Sequence, residues 1–200
     1  GTLTVTNREA KYEITVKANS ATATYDGKEH EAVGVETYEF TVEGNSYTVS
    51  GLSTEDPKQK DAGSYTNNIT GTPVVTDKEG NVVTSEFEVK TENGSLEIGK
   101  AAVTLKSATL SKKYDGNALV NGDTALEIES GFAEGEGATY NFTGSQTVVG
   151  SSANAFSYEL NGNTNIDNYA ISKQEGTLTV TNREAKYEIT VKANSATATY

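Results

Sequence analysis

The 200-residue chain has no cysteine, methionine or tryptophan, only two prolines and a single histidine. Because cysteine is absent, thiol nucleophiles, thiolate metal sites and thioesters are excluded, and the fold must hold together without disulfides. His30 lies in the polar stretch 28–31, where we expect it to be exposed and without the partners of a catalytic triad or metal site. We therefore expect no enzyme activity.

The chain also lacks long apolar runs and has little arginine. No stretch of 18 or more apolar residues is present, so we expect no membrane insertion. Acidic residues number 28 against 16 lysines and arginines, and the net charge is −12. Phosphate backbones would be repelled, which argues against a nucleic-acid partner. No targeting signal is present in the chain, and we expect any such segment to lie outside it.

Segments in which apolar and polar residues alternate are abundant. Such alternation is typical of strands with one buried side, and the many Val, Thr and Tyr residues agree with it. The apolar positions are Tyr12, Ile14, Val16 and Ala18; Tyr38, Phe40 and Val42; Phe87, Val89, Leu96 and Ile98; Leu126 and Ile128; and Phe156, Tyr158 and Leu160. The sequence therefore predicts an all-β fold with several small cores.

Turn residues punctuate these segments. The stretches VVTDKEGNVVT, from Val74, and FEVKTENGSLEI, from Phe87, each predict a hairpin around Gly-containing turns. The stretch STEDPKQKDAG, from Ser53, predicts a helical turn with Thr54 as its cap.

Residues 1–25 recur without change as residues 176–200, which gives a period of 175 residues. A weaker repeat lies inside this period: ITVKANSATATYDGK aligns with VTLKSATLSKKYDGN, FEVKTENGSLEI with YAISKQEGTLTV, and DAGSY with part of VGSSANAF. The repeats predict two divergent modules in a tandem array, and an artificial duplication of one segment is the alternative. The predicted boundaries are 1–13 for the closing strand of a preceding B-type module, 14–102 for module A, 103–188 for module B, and 189–200 for the opening strand of a following A-type module.

The combination of YDG after a strand, TGSQTVVGSSANAFSY, NIDNYAI and EGTLTVT resembles the MBG/YDG-type tandem repeat modules of bacterial cell-surface adhesins. Module B resembles them along nearly its whole length, whereas the middle of module A departs from the pattern. The resemblance implies secretion to a bacterial cell surface and two small tandem β-sandwich modules, immunoglobulin-like or β-grasp-like. It brings no catalytic residues.

The Tyr-Asp-Gly motif occurs once in each module. The aspartate side chain can close a turn, glycine can adopt a positive φ, and tyrosine can bury its ring at the module edge with its hydroxyl bonded to backbone. We predict a structural turn rather than a ligand site. Its residues are Tyr25, Asp26, Gly27, Tyr114, Asp115 and Gly116.

No cofactor is predicted. Calcium is the one metal for which the sequence offers oxygen-rich clusters, but neither cluster has the ligand spacing of an EF-hand loop. They comprise Glu55, Asp56 and Asp61, and Glu134 and Glu136.

We expect a structural repeat segment of a surface stalk, and the short junction EIGKAAVTL between the modules predicts a semi-rigid, rod-like array. Neighbouring modules are the expected partners, together with head-to-tail self-association of terminal strands. The alternative is an adhesive module that binds host mucin glycans or matrix protein through avidity.

Overall fold

The regular elements follow the alternation of the sequence. The computed structural model describes residues 1–4, 10–122 and 125–200, which form short β-strands and two 3₁₀ helices. Over these ranges there is no α-helix, and so none that would be long and apolar enough to cross a bilayer. The all-β prediction is confirmed.

The strands of the first half of the chain are β1 (Tyr12–Lys17), β2 (Ala21–Thr24), β3 (His30–Glu31), β4 (Glu39–Val42), β5 (Asn45–Thr54), β6 (Lys58–Gln59), β7 (Gly63–Asn67), β8 (Ile69–Asp77), β9 (Phe87–Glu92) and β10 (Gly94–Gly99). Those of the second half are β11 (Ala101–Lys106), β12 (Leu110–Lys113), β13 (Ile128–Ser130), β14 (Ala138–Phe142), β15 (Gly150–Ala153), β16 (Phe156–Leu160), β17 (Tyr169–Gln174) and β18 (Thr177–Thr181). The 3₁₀ helices span Thr84–Glu86 and Ile166–Asn168.

The chain divides into two compact units. The first comprises Gly1–Val103, Gly131–Gly137 and Leu160–Ile171, and the second comprises Thr104–Ser130, Ala138–Glu159 and Ser172–Tyr200. Two segments of the predicted module B thus belong to the first unit. The module boundaries remain a prediction from the repeats.

The main core of the first unit lies between two sheets. One sheet pairs β1 with β9, and the other has the order β4–β5–β8. Their facing side chains form a buried cluster of Ile14, Val16, Val49, Val75 and Phe87. Two sheets that bury their inner faces against each other form a β-sandwich. Tyr12, Tyr38, Phe40, Val42 and Val89 pack against this core from half-buried positions.

The first and last strands of predicted module A are paired in parallel. Tyr12–Lys17 pairs with Phe87–Glu92 over six positions, and four positions of β2 pair with β10, from Ala21 opposite Leu96 to Thr24 opposite Gly99. On its other edge, β10 pairs with β7 in the antiparallel direction. The segment that carries β1 and β2 and the segment that carries β9 and β10 therefore each bend once. At the bend each segment passes from one sheet to another.

The hairpin predicted over Phe87–Ile98 is wrong, because β9 and β10 pair with other strands. The Asn93-Gly94 dipeptide marks the bend instead. A Cβ atom on Gly94 would lie 2.2 Å from the carbonyl oxygen of Asn19, and one on Gly176 would lie 2.2 Å from that of Ala108. Both glycines are required because another backbone segment passes too close for any side chain.

The second unit contains a sheet with the same pattern of directions. Its order is β12–β18–β15, in which β12 pairs parallel and β15 antiparallel with the central strand. Leu178 and Val180 of β18 are buried. Phe156 is also buried and packs against Phe142 and Tyr140, with ring centroids 5.7 and 6.4 Å away.

The helical turn predicted from Ser53 is wrong. Strand β5 continues to Thr54, and Asp56 has a φ of 51°. Asp56 precedes Pro57, whose ring disfavours the helical conformation for the residue before it. The next residues, Lys58–Gln59, pair with His30–Glu31 instead.

The hairpin predicted from Val74 forms only in part. Strand β8 ends at Asp77, and Thr76 opposite Val82 is an isolated bridge. The second arm turns into the 3₁₀ helix, where the Thr84 hydroxyl oxygen accepts a hydrogen bond from the Val75 amide at 2.9 Å. The prediction that Ile128 faces a core is also wrong, since this residue of the edge strand β13 is 39% exposed.

The predicted terminal strands are not formed as such. Residues 1–4 have no regular structure, and the rest of the predicted closing strand falls in part on residues 5–9, outside the described residues. Residues 189–200 also have no regular structure, although the identical residues 14–25 include the end of β1 and all of β2. The difference is the ladder with β9, which supplies the backbone partners of a strand.

The close approach at the bend predicts that Gly94→Ala is strongly destabilising. The new methyl group would overlap the Asn19 carbonyl, so the strands must move apart, and we expect a loss of about 2–4 kcal/mol in unfolding free energy. Gly162→Ala is the matched control, because nothing lies within 4 Å of its added Cβ. Urea unfolding of both variants measures the difference, and equal midpoints would contradict this account of the bend.

Candidate functional site

The two Tyr-Asp-Gly motifs form the same turn. The Asp26 carboxylate accepts a hydrogen bond from the Lys28 amide at 2.9 Å, and the Asp115 carboxylate accepts one from the Asn117 amide at 2.9 Å. Gly27 and Gly116 follow with φ values of 79° and 85°. A positive φ is readily available to glycine, which explains its place after the aspartate.

Both motif aspartates are held in their charged form. The hydrogen bond from the Lys28 amide is the main cause that lowers the pKa of Asp26, and His30 adds to it with Nε2 at 3.0 Å from the carboxylate. The Lys112 ammonium group, 2.8 Å away, is the main cause that lowers the pKa of Asp115. His30 is half-buried in this contact, so the prediction that it is exposed is wrong.

The motif tyrosines end the second strand in both copies. The amide of Tyr25 donates to the Gly99 carbonyl at 2.8 Å, and that of Tyr114 donates to the Thr181 carbonyl at 2.9 Å. The two side chains differ, since the Tyr25 ring is buried whereas Tyr114 is half-buried. The Tyr25 hydroxyl does not bond to backbone as predicted but donates to the carboxylate of Glu136 at 2.6 Å.

Tyr25 belongs to a cluster inside the first unit in which two buried tyrosines meet two half-buried side chains. Glu136 accepts hydrogen bonds from the hydroxyls of Tyr25 at 2.6 Å and Tyr169 at 2.8 Å, one on each carboxylate oxygen. The two rings meet edge to face with centroids 5.3 Å apart, and Phe132 packs in the same manner on Tyr169 at 5.2 Å. We call Tyr25, Phe132, Glu136 and Tyr169 the tyrosine–glutamate cluster. It joins residues of both predicted modules within one compact unit.

The tyrosines of this cluster are neutral at physiological pH. Burial is the main cause that raises the pKa of Tyr25, and the neighbouring Glu136 carboxylate raises it further. Burial likewise raises the pKa of Tyr169. Neutral hydroxyl groups that donate to a carboxylate form strong, charge-assisted hydrogen bonds, so the cluster joins the segments that supply its side chains.

A buried asparagine joins the same region of the first unit. The Asn168 side chain accepts a hydrogen bond from the Ala62 amide and donates one to the Asp61 carboxylate, both at 2.8 Å. Both halves of its amide group are thereby paired in a buried position.

One further asparagine in each unit hydrogen-bonds to the backbone at a bend, either between β1 and β2 or between β11 and β12. We call this bend the crossover. Asn67 and Asn154 are fully buried, and their side-chain NH₂ groups donate to the carbonyls of Asn19 at 3.2 Å and Ala108 at 2.9 Å. These are the carbonyl oxygens that Gly94 and Gly176 approach. Asn67 also accepts from the Asp56 amide at 3.0 Å. We call Asn67, Asn154, Gly94 and Gly176, together with the Tyr-Asp-Gly turns, the shared framework.

Four of the five carboxylates proposed for calcium accept hydrogen bonds from protein donors, Glu136 from the two tyrosine hydroxyls. Glu55 accepts from Asn68, Asp56 from the Gly34 amide, and Asp61 from Asn168. In the parts of the chain that the structure describes, no three His, Asp or Glu residues come together as a metal site would require.

Sequence reasoning missed the buried asparagines and the tyrosine–glutamate cluster. The asparagines had a signal, because GSYTN and GSSAN place Asn67 and Asn154 at the same position of the aligned modules. Glu136 and Tyr169 had none, since each lies more than 100 residues from Tyr25 along the chain.

Comparison with protein-family models, with curated proteins and with solved structures finds no match. The resemblance to MBG/YDG-type modules therefore stays a prediction from the motifs.

Asn67→Ala is expected to lower the unfolding free energy by about 1–3 kcal/mol, because it leaves the partly buried Asp56 amide and Asn19 carbonyl without their side-chain partner. Asn68→Ala is the matched control, since this neighbour makes its side-chain bonds at the surface. Urea unfolding measures both variants, and a loss no larger for Asn67→Ala than for the control would disprove a holding role at the crossover.

The raised pKa of Tyr25 predicts that the protein loses unfolding free energy at alkaline pH. This raised pKa means that the fold favours the neutral hydroxyl, so this contribution is complete below the unfolded value of about 10 and disappears as pH rises through the higher folded value. Tyr25→Phe should be less stable near neutrality by about 1–3 kcal/mol yet should lose less on going to high pH.

Unfolding in urea at neutral and at alkaline pH, together with tyrosinate absorbance, measures this effect. Tyr200→Phe is the control, because Tyr200 is fully exposed. The cluster would have no such effect if Tyr25→Phe and Tyr200→Phe lost equal stability in alkali.

Proposed function

We propose that this chain is a structural repeat segment of a secreted bacterial cell-surface stalk or adhesin, which extends a binding region away from the cell. Each module serves as a length unit in this proposal. Partners are neighbouring modules of the same kind, including head-to-tail pairing between terminal strands.

The shared framework is the observation that carries this proposal. Modules A and B differ at most positions, yet both keep the buried asparagine, the glycine at the crossover and the Tyr-Asp-Gly turn in the same geometry. Each of these residues contacts the backbone of its own module, and the Tyr25 hydroxyl in addition donates to the Glu136 side chain. Retention of scaffold residues in diverged copies is what a repeat with a spacing role requires.

The tyrosine–glutamate cluster and Asn168 support contact between successive modules. They place side chains from both predicted modules in one compact unit, with both oxygens of Glu136 and both halves of the Asn168 amide group engaged. Polar groups that are fully paired and largely removed from solvent, as the buried Asn168 is, fix one arrangement of the segments that they join. Such contacts favour a semi-rigid linkage over a free joint.

An adhesive module is the second candidate. In the second unit, Val148 and Val149 are adjacent in the chain and 66% and 48% exposed. Exposed apolar side chains of this kind are available to a glycan or a matrix protein, and repetition would add avidity.

The test uses the producing bacterium and strains whose number of A–B pairs differs. A stalk predicts that antibodies raised against this chain label intact cells, and that the height of a distal epitope above the cell wall grows in equal steps with each added pair. A flexible Gly/Ser insert of the same 175 residues is the control and should add less height. Absence of surface labelling, or a height independent of pair number, would refute the proposal, and mucin-glycan binding by one A–B pair would favour the adhesive module.

A further inference from the structure

The strand pairing of module A determines how it responds to force along the chain. The chain enters through β1 and leaves through β10. Because β1 is parallel to β9 and β2 is parallel to β10, the start of β1 and the end of β10 lie at opposite ends of the combined ladder. Force that separates these two points slides the strands along each other and does not open the ladder from one end.

Sliding and opening differ in how many hydrogen bonds break at once. A ladder opened from one end loses its bonds one after another, so each step needs little force. A ladder loaded along its strands must give up all of its bonds within a small displacement. The six paired positions of β1 with β9 and the four of β2 with β10 are all loaded in this second way.

We propose that the parallel pairing of first and last strands is a mechanical clamp that lets each module bear tension along the chain. The inference deepens the proposed function, but the clamp rests only on strand pairing and holds wherever the protein is located.

Several contacts reinforce the clamp. Strand β10 is central in its sheet, with β2 on one side and β7 on the other, so its movement must break two ladders. Asn67 lies at the end of β7 and holds the Asn19 carbonyl at the crossover. Ion pairs between β1 and β9 join Lys17 to Glu92 at 2.8 Å and Glu13 to Lys90 at 3.0 Å, each a small surface contribution.

The second unit has the same device. Strand β18 is central, with β12 parallel to it over four positions and β15 antiparallel on the other side. Asn154 again follows the antiparallel strand and holds the Ala108 carbonyl. Tension on module B would thus also load a four-position parallel ladder along its strands.

The absence of cysteine from the chain permits a direct test, since two introduced thiols become unique attachment points for single-molecule pulling. In the full chain, Lys11→Cys with Lys100→Cys loads the clamp along its strands, because these exposed residues precede β1 and follow β10. Lys11→Cys with Ser85→Cys is the matched control. Ser85 is exposed and lies just before β9, so both attachments are at the same end of the β1–β9 ladder.

We expect the unfolding force to be at least about twofold higher for the first attachment pair than for the second at equal loading rate, because forced unfolding reports the barrier along the direction pulled. Both variants should have the same urea midpoint without load. A difference in unfolding force would then reflect the direction of pulling and not the stability of the variant. Equal forces, or a lower force for the first pair, would overturn the clamp. Failure of surface labelling would leave this result unchanged, so the two proposals fail separately.

Discussion

One constraint of backbone packing governs both units: a carbonyl group at the crossover after the first strand must pass against the strand that closes the module. In the first unit this is the carbonyl of Asn19, which comes so close to Gly94 that no side chain fits between them. The same oxygen accepts a hydrogen bond from the buried Asn67. The glycine permits the approach and the asparagine satisfies the carbonyl that the approach buries. Without both, the outer strands would be unable to change sheets together, and the parallel ladders on either side of the bend would not line up.

The repeated 25 residues show that strand formation here is a property of partners more than of sequence. Tyr12–Lys17 forms a strand with Ile14 and Val16 buried, whereas the same six letters at residues 187–192 are exposed and irregular. The intrinsic preference of Tyr, Ile, Thr and Val for strands is equal in both places. What differs is the ladder with β9 and the apolar cluster beneath it. Residues with a high β-propensity therefore form a strand here only where a paired strand and a buried face are also present.

The sequence predicts which residues are in strands far better than how the strands pair. Alternation correctly indicates the buried faces of β1 and β9, because side-chain direction has a period of two in any strand. Alternation carries no information about which strands pair. For this reason Asn93-Gly94 suggests a hairpin turn, whereas β9–β10 bends there alongside β1–β2. The Tyr-Asp-Gly turns are local and could be inferred from three residues. The bond between Tyr25 and Glu136 depends on two loops that only the fold brings together.

Two aromatic contacts in the first unit have the same arrangement, in which a tyrosine ring packs on an aromatic ring and the tyrosine hydroxyl donates to a glutamate. Phe87 and Tyr169 are aligned residues, each at the start of its strand, and each meets a tyrosine ring: Tyr12 at 5.6 Å in one case and Tyr25 at 5.3 Å in the other. Both tyrosine hydroxyls donate to a glutamate in the loop that follows a short strand, Glu43 after β4 and Glu136 after β13. In the first case the tyrosine lies at the start of β1, which pairs with the strand that begins at Phe87. In the second case Ala101 occupies the position aligned with Tyr12, so this position supplies no aromatic ring. The contact at Phe87 is thus completed by the neighbouring strand β1, whereas the contact at Tyr169 is completed by Tyr25, which follows β2.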